Sequence, residues 1–134
     1  MTVEHVNPDT LPRHPGFSQV VVAPPGRLAF IAGQGAFTES NELVGVGDLR
    51  AQVVQAFRNL AKALEAVGAT PEDVVSSTFY VVDLDEQRTA EFVAGMNDAL
   101  DGKPFPPNAS SIIGVTALGV PGMLVEISAV AAVP

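Results

Sequence analysis

The sequence has no cysteine and no tryptophan among its 134 residues. The lack of cysteine excludes disulfides, thiolate catalysis and metal sites built on cysteine ligands, and it is typical of a reducing compartment. A chain of this length can bury roughly two-thirds of its unfolded surface and needs no covalent or metal cross-links to fold. We therefore predict one domain over residues 1–134, in which the proline-containing, aperiodic residues 1–16 form an N-terminal arm.

Basic residues are also scarce. Seven Lys and Arg residues face 15 Asp and Glu residues, which gives a formal net charge of −8. Proteins bind nucleic acids and anionic membranes largely by neutralising phosphates with Lys and Arg. The charge balance therefore argues against both kinds of partner, and no run of basic residues compensates for it.

Charges of either sign are few for a small protein. Charged residues make up 16% of the chain and hydrophobic residues 47%, against about 25% charged residues in typical soluble domains. No apolar run approaches the ~20 residues of a membrane-spanning helix, and residues 1–5 lack the pattern of a signal peptide. We therefore expect a cytoplasmic homo-oligomer that hides apolar surface against copies of itself.

Hydrophobic periodicity predicts the element order β-β-α-β-α-β-β. The predicted strands are 17–22, 27–32, 74–82, 110–118 and 124–130, and the predicted helices are 48–67 and 86–100. Turns at 23–26 and 119–122 lie between the first two and the last two strands, which predicts an antiparallel pair at each end of the chain. Residues 70–73, which contain Pro71 as a first helical residue, predict a single capped turn.

The longer helix has one apolar stripe, made of Leu49, Val53, Phe57, Leu60, Leu64 and Val67. Two helices can cover only one face of the predicted sheet. The other face would still carry apolar residues at alternate positions: Val74, Tyr80, Val82, Ile112, Leu124 and Val130. An uncovered apolar face of this kind is typical of an interface between subunits, which agrees with the shortage of charges.

Few sequence motifs indicate a catalytic or binding function. Glu126 lies in a predicted strand, where it would be either a solvated carboxylate or a proton-transfer group in a cleft between subunits. His5 and His14 have no metal-ligand spacing, so we predict no metal. Gly33 and Gly35 lack the third glycine and following helix of a dinucleotide fingerprint, and we predict no cofactor.

Three segments together resemble the RidA family, also called YjgF or endoribonuclease L-PSP. They are 16–20 (Gly-Phe-Ser-Gln-Val), 28–34 (Leu-Ala-Phe-Ile-Ala-Gly-Gln) and 124–127 (Leu-Val-Glu-Ile), and the resemblance extends over residues 16–132. It implies a chorismate-mutase-like α+β fold, with an antiparallel-rich mixed sheet and two helices on one face. It further implies a homotrimer with three small-molecule clefts between subunits, and hydrolysis of reactive imines and enamines to a keto acid and ammonia.

The resemblance also assigns site residues. In the family, an arginine binds the substrate carboxylate, and a glycine backbone group, a tyrosine and a glutamate complete the site. Gly33 and Glu126 match the glycine and the glutamate, the latter as the catalytic group that helps position water. Phe17 stands in the tyrosine position and Ser110 in the arginine position, and with Ile112 they complete the predicted substrate contacts.

The loss of the arginine has a physical consequence. An arginine offers a bidentate, charged fork for a carboxylate, whereas serine offers one neutral hydroxyl. We therefore expect a cleft that accepts a neutral or cationic molecule, with hydrolysis of a C=N bond as the leading hypothesis and 2-imino-acid deamination doubtful. A non-catalytic binding module is the alternative, and the charge of −8 opposes a ribonuclease.

Overall fold

The longest helix begins where the sequence provides a cap. The Asp48 side chain accepts a hydrogen bond from the backbone N–H of Ala51 at 3.1 Å, and α1 then runs over Leu49–Glu65. Its predicted apolar stripe is buried as far as Leu64. Val67 is exposed, which corrects its place in the stripe, because the helix ends two residues earlier. Gly68 follows at a φ of 74°, a conformation that favours glycine.

The computed structural model describes residues 3–134 and has an α+β fold. Besides α1, it contains one further α-helix, α2, at Glu86–Asp98, and a single 3₁₀ turn at Pro71–Asp73 with the predicted capping. The strands are β1 at Glu4–Val6, β2 at Val20–Val22, β3 at Arg27–Gln34, β4 at Val74–Val82, β5 at Ala109–Val115 and β6 at Val125–Val133. Neither described helix is long and apolar enough to cross a membrane.

The main sheet is mixed, and its strand order is β3-β6-β4-β5. β6 pairs antiparallel with both β3 and β4, whereas β4 and β5 are parallel. The predicted pairing of the last two strands is therefore wrong. Helix α2 carries the chain back across the sheet, so that β5 aligns with β4, and β6 then inserts on the far side of β4.

The N-terminal arm contains a strand that the sequence analysis did not predict. β1 pairs antiparallel with β2 in a separate two-stranded sheet, and so the predicted hairpin between β2 and β3 is also wrong. Pro24 and Pro25 stand between β2 and β3, and proline lacks the N–H that a tight hairpin uses. A strand of three residues is too short to leave a periodic signal in the sequence.

Both α-helices pack against one face of the main sheet. Phe57 of α1 is fully buried at the centre of this core. Its ring centroid lies 5.7 Å from that of Phe79, 5.9 Å from that of Phe92 and 4.9 Å from that of Phe105. Four aromatic rings from α1, β4, α2 and the segment before β5 therefore join the two layers.

The opposite face of the sheet has no covering layer within the described chain, and we call it the open face. Strand alternation and register place Leu28, Phe30, Thr78, Tyr80, Val82, Ser111, Ile113, Glu126, Ser128 and Val130 on it. Phe30 is 79% exposed, and Leu28 and Ile113 are exposed as well. These apolar side chains are the surface that an oligomer of this chain would bury.

Three residues that we predicted for the open face lie elsewhere. Val74 is buried in the core, because β4 gains an extra residue relative to β6 between Val74 and Ser76 and the alternation shifts. Ile112 aligns with Phe79 on the helix-covered side. Leu124 precedes β6 and packs against the core. Tyr80, Val82 and Val130 are on the predicted face.

The aromatic centre of the core gives a direct test of the fold. We expect Phe57→Ala to lower the free energy of unfolding by about 3–5 kcal/mol, because the substitution leaves a cavity among three other rings. Val46→Ala is the control, since Val46 is 78% exposed, and it should change stability by about 0.5 kcal/mol or less. Denaturant unfolding at one fixed protein concentration measures both, and equal effects would contradict the assigned core.

Candidate functional site

An apolar cavity of about 440 Å³ lies between the end of the N-terminal arm, α2 and the edge strand β5. It brings together Phe17, Ser110 and Ile112, three of the residues that the sequence predicted for the site. The remaining lining residues are His14, Gly16, Phe79, Thr89, Phe92, Val93, Met96 and Ser111. No lining residue carries a permanent charge, so the wall offers apolar surface, the hydroxyl groups of Thr89 and Ser110 and one imidazole.

Asn108 holds the two sides of this cavity together. It is buried directly before β5, and its backbone carbonyl accepts a hydrogen bond from the N–H of Ser18 at 2.9 Å. The Ser77 hydroxyl donates to Asn108 Oδ1 at 2.7 Å. These bonds fix Phe17, the neighbour of Ser18, relative to Ser110. Sequence reasoning missed this role, because nothing in the local sequence shows which strand Asn108 contacts.

Two further predicted site residues, Gly33 on β3 and Glu126 on β6, lie against each other. β3 carries one extra residue relative to β6 between Ile31 and Gln34, which makes a β-bulge that includes Gly33. A Cβ atom built on Gly33 would lie 2.4 Å from Glu126 Oε1, so the carboxylate packs directly on the glycine backbone. Within residues 3–134, no hydrogen bond to the Glu126 carboxylate is formed.

The segment that leads into β6 is fixed by a buried glutamine that sequence reasoning also missed. Gln52 of α1 accepts a hydrogen bond from the N–H of Leu124 at 2.8 Å through Oε1. Its Nε2 donates to the carbonyls of Gly45 at 3.1 Å and Gly122 at 3.0 Å. The strand therefore starts from a fixed point two residues before Glu126. The only sequence signal is a polar residue beside the apolar stripe of α1.

The two groups of predicted residues lie on opposite sides of the main sheet. Ser110 aligns with Ser77, which aligns in turn with Ala129, and both of these are buried on the helix-covered side. Glu126 aligns with Tyr80 on the open face. One chain therefore does not bring the Ser110 hydroxyl and the Glu126 carboxylate into a single site.

The described chain also has no cluster that would suit a metal. Among residues 3–134, no group of three or more His, Asp or Glu residues is arranged to hold a metal ion. His5 Nδ1 lies 2.8 Å from the Ser18 hydroxyl, and His14 stacks on Phe17. Both histidines thus have contacts within the arm.

Comparison with known proteins defines the class. Residues 9–133 match the family model described as endoribonuclease L-PSP. A structure of YyfB from Yersinia pestis, a Rid-family protein of unknown function, is 41% identical, with a TM-score of 0.89 over 99% of this chain and 100% of that one. No curated protein matches the chain significantly.

Two further solved structures agree with this class. A YjgF/YER057c/UK114-family member from Mycobacterium tuberculosis is 35% identical, with a TM-score of 0.61 and coverage of 88% of this chain and 87% of that one. RidA from an Antarctic Psychrobacter species is 26% identical, with a TM-score of 0.67 and coverage of 97% and 99%. The chain belongs to the Rid/YjgF family, also described as endoribonuclease L-PSP.

The contact between Gly33 and Glu126 can be tested by adding one methyl group. We expect Gly33→Ala to lower the free energy of unfolding by about 1–3 kcal/mol or to displace the Glu126 side chain, because the added Cβ overlaps the carboxylate. Gly119→Ala is the matched control, since a Cβ there would meet nothing within 4 Å. Denaturant unfolding and a crystal structure of Gly33→Ala would measure the effect, and an unchanged stability with an unmoved Glu126 would contradict it.

Proposed function

We propose that the protein is a homotrimer in which each active cleft combines residues of two subunits. The argument rests on one observation about the main sheet. Ser110 and Phe17 lie on one side of it, whereas Glu126 and Gly33 lie on the other side. The cavity lies at the edge strand β5, so a second copy that covers the open face and extends past this edge would bring its own Glu126 towards a neighbour's cavity. The exposed Phe30, Leu28 and Ile113 supply the apolar surface for that contact.

In this cleft the protein hydrolyses the C=N bond of a small N–H imine, which an enamine also provides once it has tautomerised to the imine. Glu126 accepts a proton from water while the water oxygen bonds to the imine carbon, and it passes this proton to the nitrogen to give a carbinolamine. Glu126 then takes the proton of the carbinolamine hydroxyl and delivers it to the nitrogen as the C–N bond breaks, which releases a carbonyl compound and ammonia and leaves Glu126 ionised. The Glu126 carboxylate suits the role of base, because no hydrogen bond within residues 3–134 occupies its oxygens.

The proposed substrate lacks a carboxylate. Ser110 stands on the cavity wall where typical family members carry an arginine, and no other lining residue has a permanent positive charge. A hydrogen bond to a charged group contributes about 1.5–3 kcal/mol, so losing a bidentate fork weakens carboxylate binding by orders of magnitude. A Glu126 close to the ligand would oppose a carboxylate further.

A non-catalytic binding protein is the second candidate. It is favoured by the composition of the cavity wall, where hydroxyl groups and one imidazole are the only polar side-chain groups. In that case a ligand would enter the same cleft and leave unchanged. Ribonuclease activity, which the family description names, is not proposed, because a net charge of −8 repels a polyanion.

The proposed assembly depends on Phe30. We expect Phe30→Asp to convert the trimer into monomers, because a carboxylate would then have to be buried in the interface. Val46→Asp is the control, since Val46 is equally exposed (78% against 79%) but lies outside the open face. Sedimentation velocity reports the mass, and circular dichroism checks that both variants fold. A Phe30→Asp protein that is still trimeric would rule out the open face as the interface.

The proposed chemistry predicts a substrate preference. We expect the protein to accelerate the hydrolysis of the N–H imine of acetophenone, but not that of 2-iminopropionate generated in situ. Glu126→Gln should lower the rate with the neutral imine by at least about 100-fold, because general-base catalysis contributes on that order. Ammonia release, followed with a coupled dehydrogenase, measures all rates.

An arginine-bearing member of the family serves as the positive control for 2-iminopropionate. Acceleration of 2-iminopropionate by this protein would overturn the argument from Ser110. Turnover that survives Glu126→Gln would remove Glu126 from the mechanism. Binding of the neutral imine without any acceleration would favour the non-catalytic candidate.

A further inference from the structure

His14 is the only titratable side chain on the wall of the apolar cavity. Its ring stacks on that of Phe17, with centroids 4.9 Å apart and planes 11° from parallel. The backbone N–H of Gly16 donates a hydrogen bond to His14 Nδ1 at 2.8 Å. The turn of residues 14–17 thus holds the imidazole at the cavity by a stack and a hydrogen bond.

The hydrogen bond from Gly16 determines what His14 can offer to a ligand. Because Nδ1 accepts a hydrogen, the neutral ring carries its own proton on Nε2. Within residues 3–134, no hydrogen bond is formed by Nε2. His14 therefore presents an N–H donor without adding a charge to the site.

The other lining residues determine which kind of ligand the cavity can bind. Phe17, Phe79, Phe92, Val93 and Met96 provide most of the apolar surface. The Ser110 hydroxyl is neutral and can adapt to an acceptor or a donor, whereas the Thr89 hydroxyl donates to the carbonyl of Asp85 at 2.8 Å and can only accept from a ligand. An anion would lose hydration here without gaining an opposite charge.

The positive charge of Arg13 does not alter the uncharged character of the cavity wall. It borders a neighbouring cavity, which shares His14 and Phe17 with the first, and its Nη2 donates to the carbonyl of Asn7 at 3.2 Å. Glu72 borders that neighbouring cavity too. Arg13 is not among the residues that line the apolar cavity.

We propose that His14 is a specificity-determining residue of the cleft, whose Nε2–H binds the acceptor atom of a neutral ligand with an aromatic or branched apolar body. Amides, ketones and neutral imines have this chemistry, and carboxylates and phosphates do not. The assignment rests on the proposed function only for the location of the site. It concerns which molecules bind, whether or not the cleft turns them over.

Phenylacetamide and phenylacetate provide a matched pair of probes, because they have the same shape and differ in charge. We expect phenylacetamide to bind at the cavity and phenylacetate to bind at least tenfold more weakly, as followed by NMR titration of the full-length protein. His14→Phe keeps a ring for the stack on Phe17 but removes the donor. It should weaken phenylacetamide binding about three- to tenfold, the value of one neutral hydrogen bond.

Two controls separate this contact from a general disturbance of the arm. Toluene, which has no acceptor, should bind the wild type and His14→Phe equally. His5→Gln changes the other arm histidine, which does not border this cavity, and keeps a hydrogen-bonding side chain for the Ser18 hydroxyl; it should leave phenylacetamide binding unchanged. The proposal is overturned if phenylacetate binds as tightly as phenylacetamide, if His14→Phe binds the amide with full affinity, or if phenylacetamide does not bind.

The outcome is distinguishable from a failure of the proposed catalysis. A protein that prefers the amide through His14 but accelerates no imine would retain this assignment and lose the C=N chemistry. A protein that hydrolyses the neutral imine through Glu126 but binds both probes alike would retain the C=N chemistry and lose the assignment of His14.

Discussion

The pairing of β6 with strands on both of its sides is the interaction on which the rest of the structure depends. β6 lies between β3 and β4, and its successive side chains alternate between the core and the open face. Val125, Ile127 and Ala129 close the core beneath the helices, while Glu126 and Ser128 point the other way. The same strand therefore stabilises the fold on one side and presents the candidate catalytic carboxylate on the other.

This alternation determines how a site can be assembled. Hydrogen bonds fix β5 against β4 with Ser110 on the helix-covered side, so no rotation of a side chain moves its hydroxyl to the open face. The bulge in β3 brings Gly33 under Glu126, and a residue with a Cβ there would overlap the Glu126 side chain in its present position. Within one chain, Ser110 and Glu126 therefore stay on opposite sides of the sheet.

The sequence predicts the parts of the fold that depend on local pattern. α1 has a capped start and a continuous apolar stripe, and the bounds of β4 match the prediction. The strand pairings failed because they depend on contacts between distant residues, such as Arg27 with Val133. At the site, the family resemblance pointed to Gly33, Glu126 and Ser110, but the buried bonds of Asn108 and Gln52 become visible only when the chain is folded.

The residues that line the apolar cavity determine its electrostatics. Ser110 and Phe17 lie on its wall, and no lining residue carries a permanent charge. His14 adds a hydrogen-bond donor but no charge, since its Nδ1 accepts from Gly16. An anionic ligand would have to give up its hydration for neutral partners and approach a protein of net charge −8. A neutral ligand incurs neither cost, and for that reason an uncharged molecule suits this cavity wall better than an anion does.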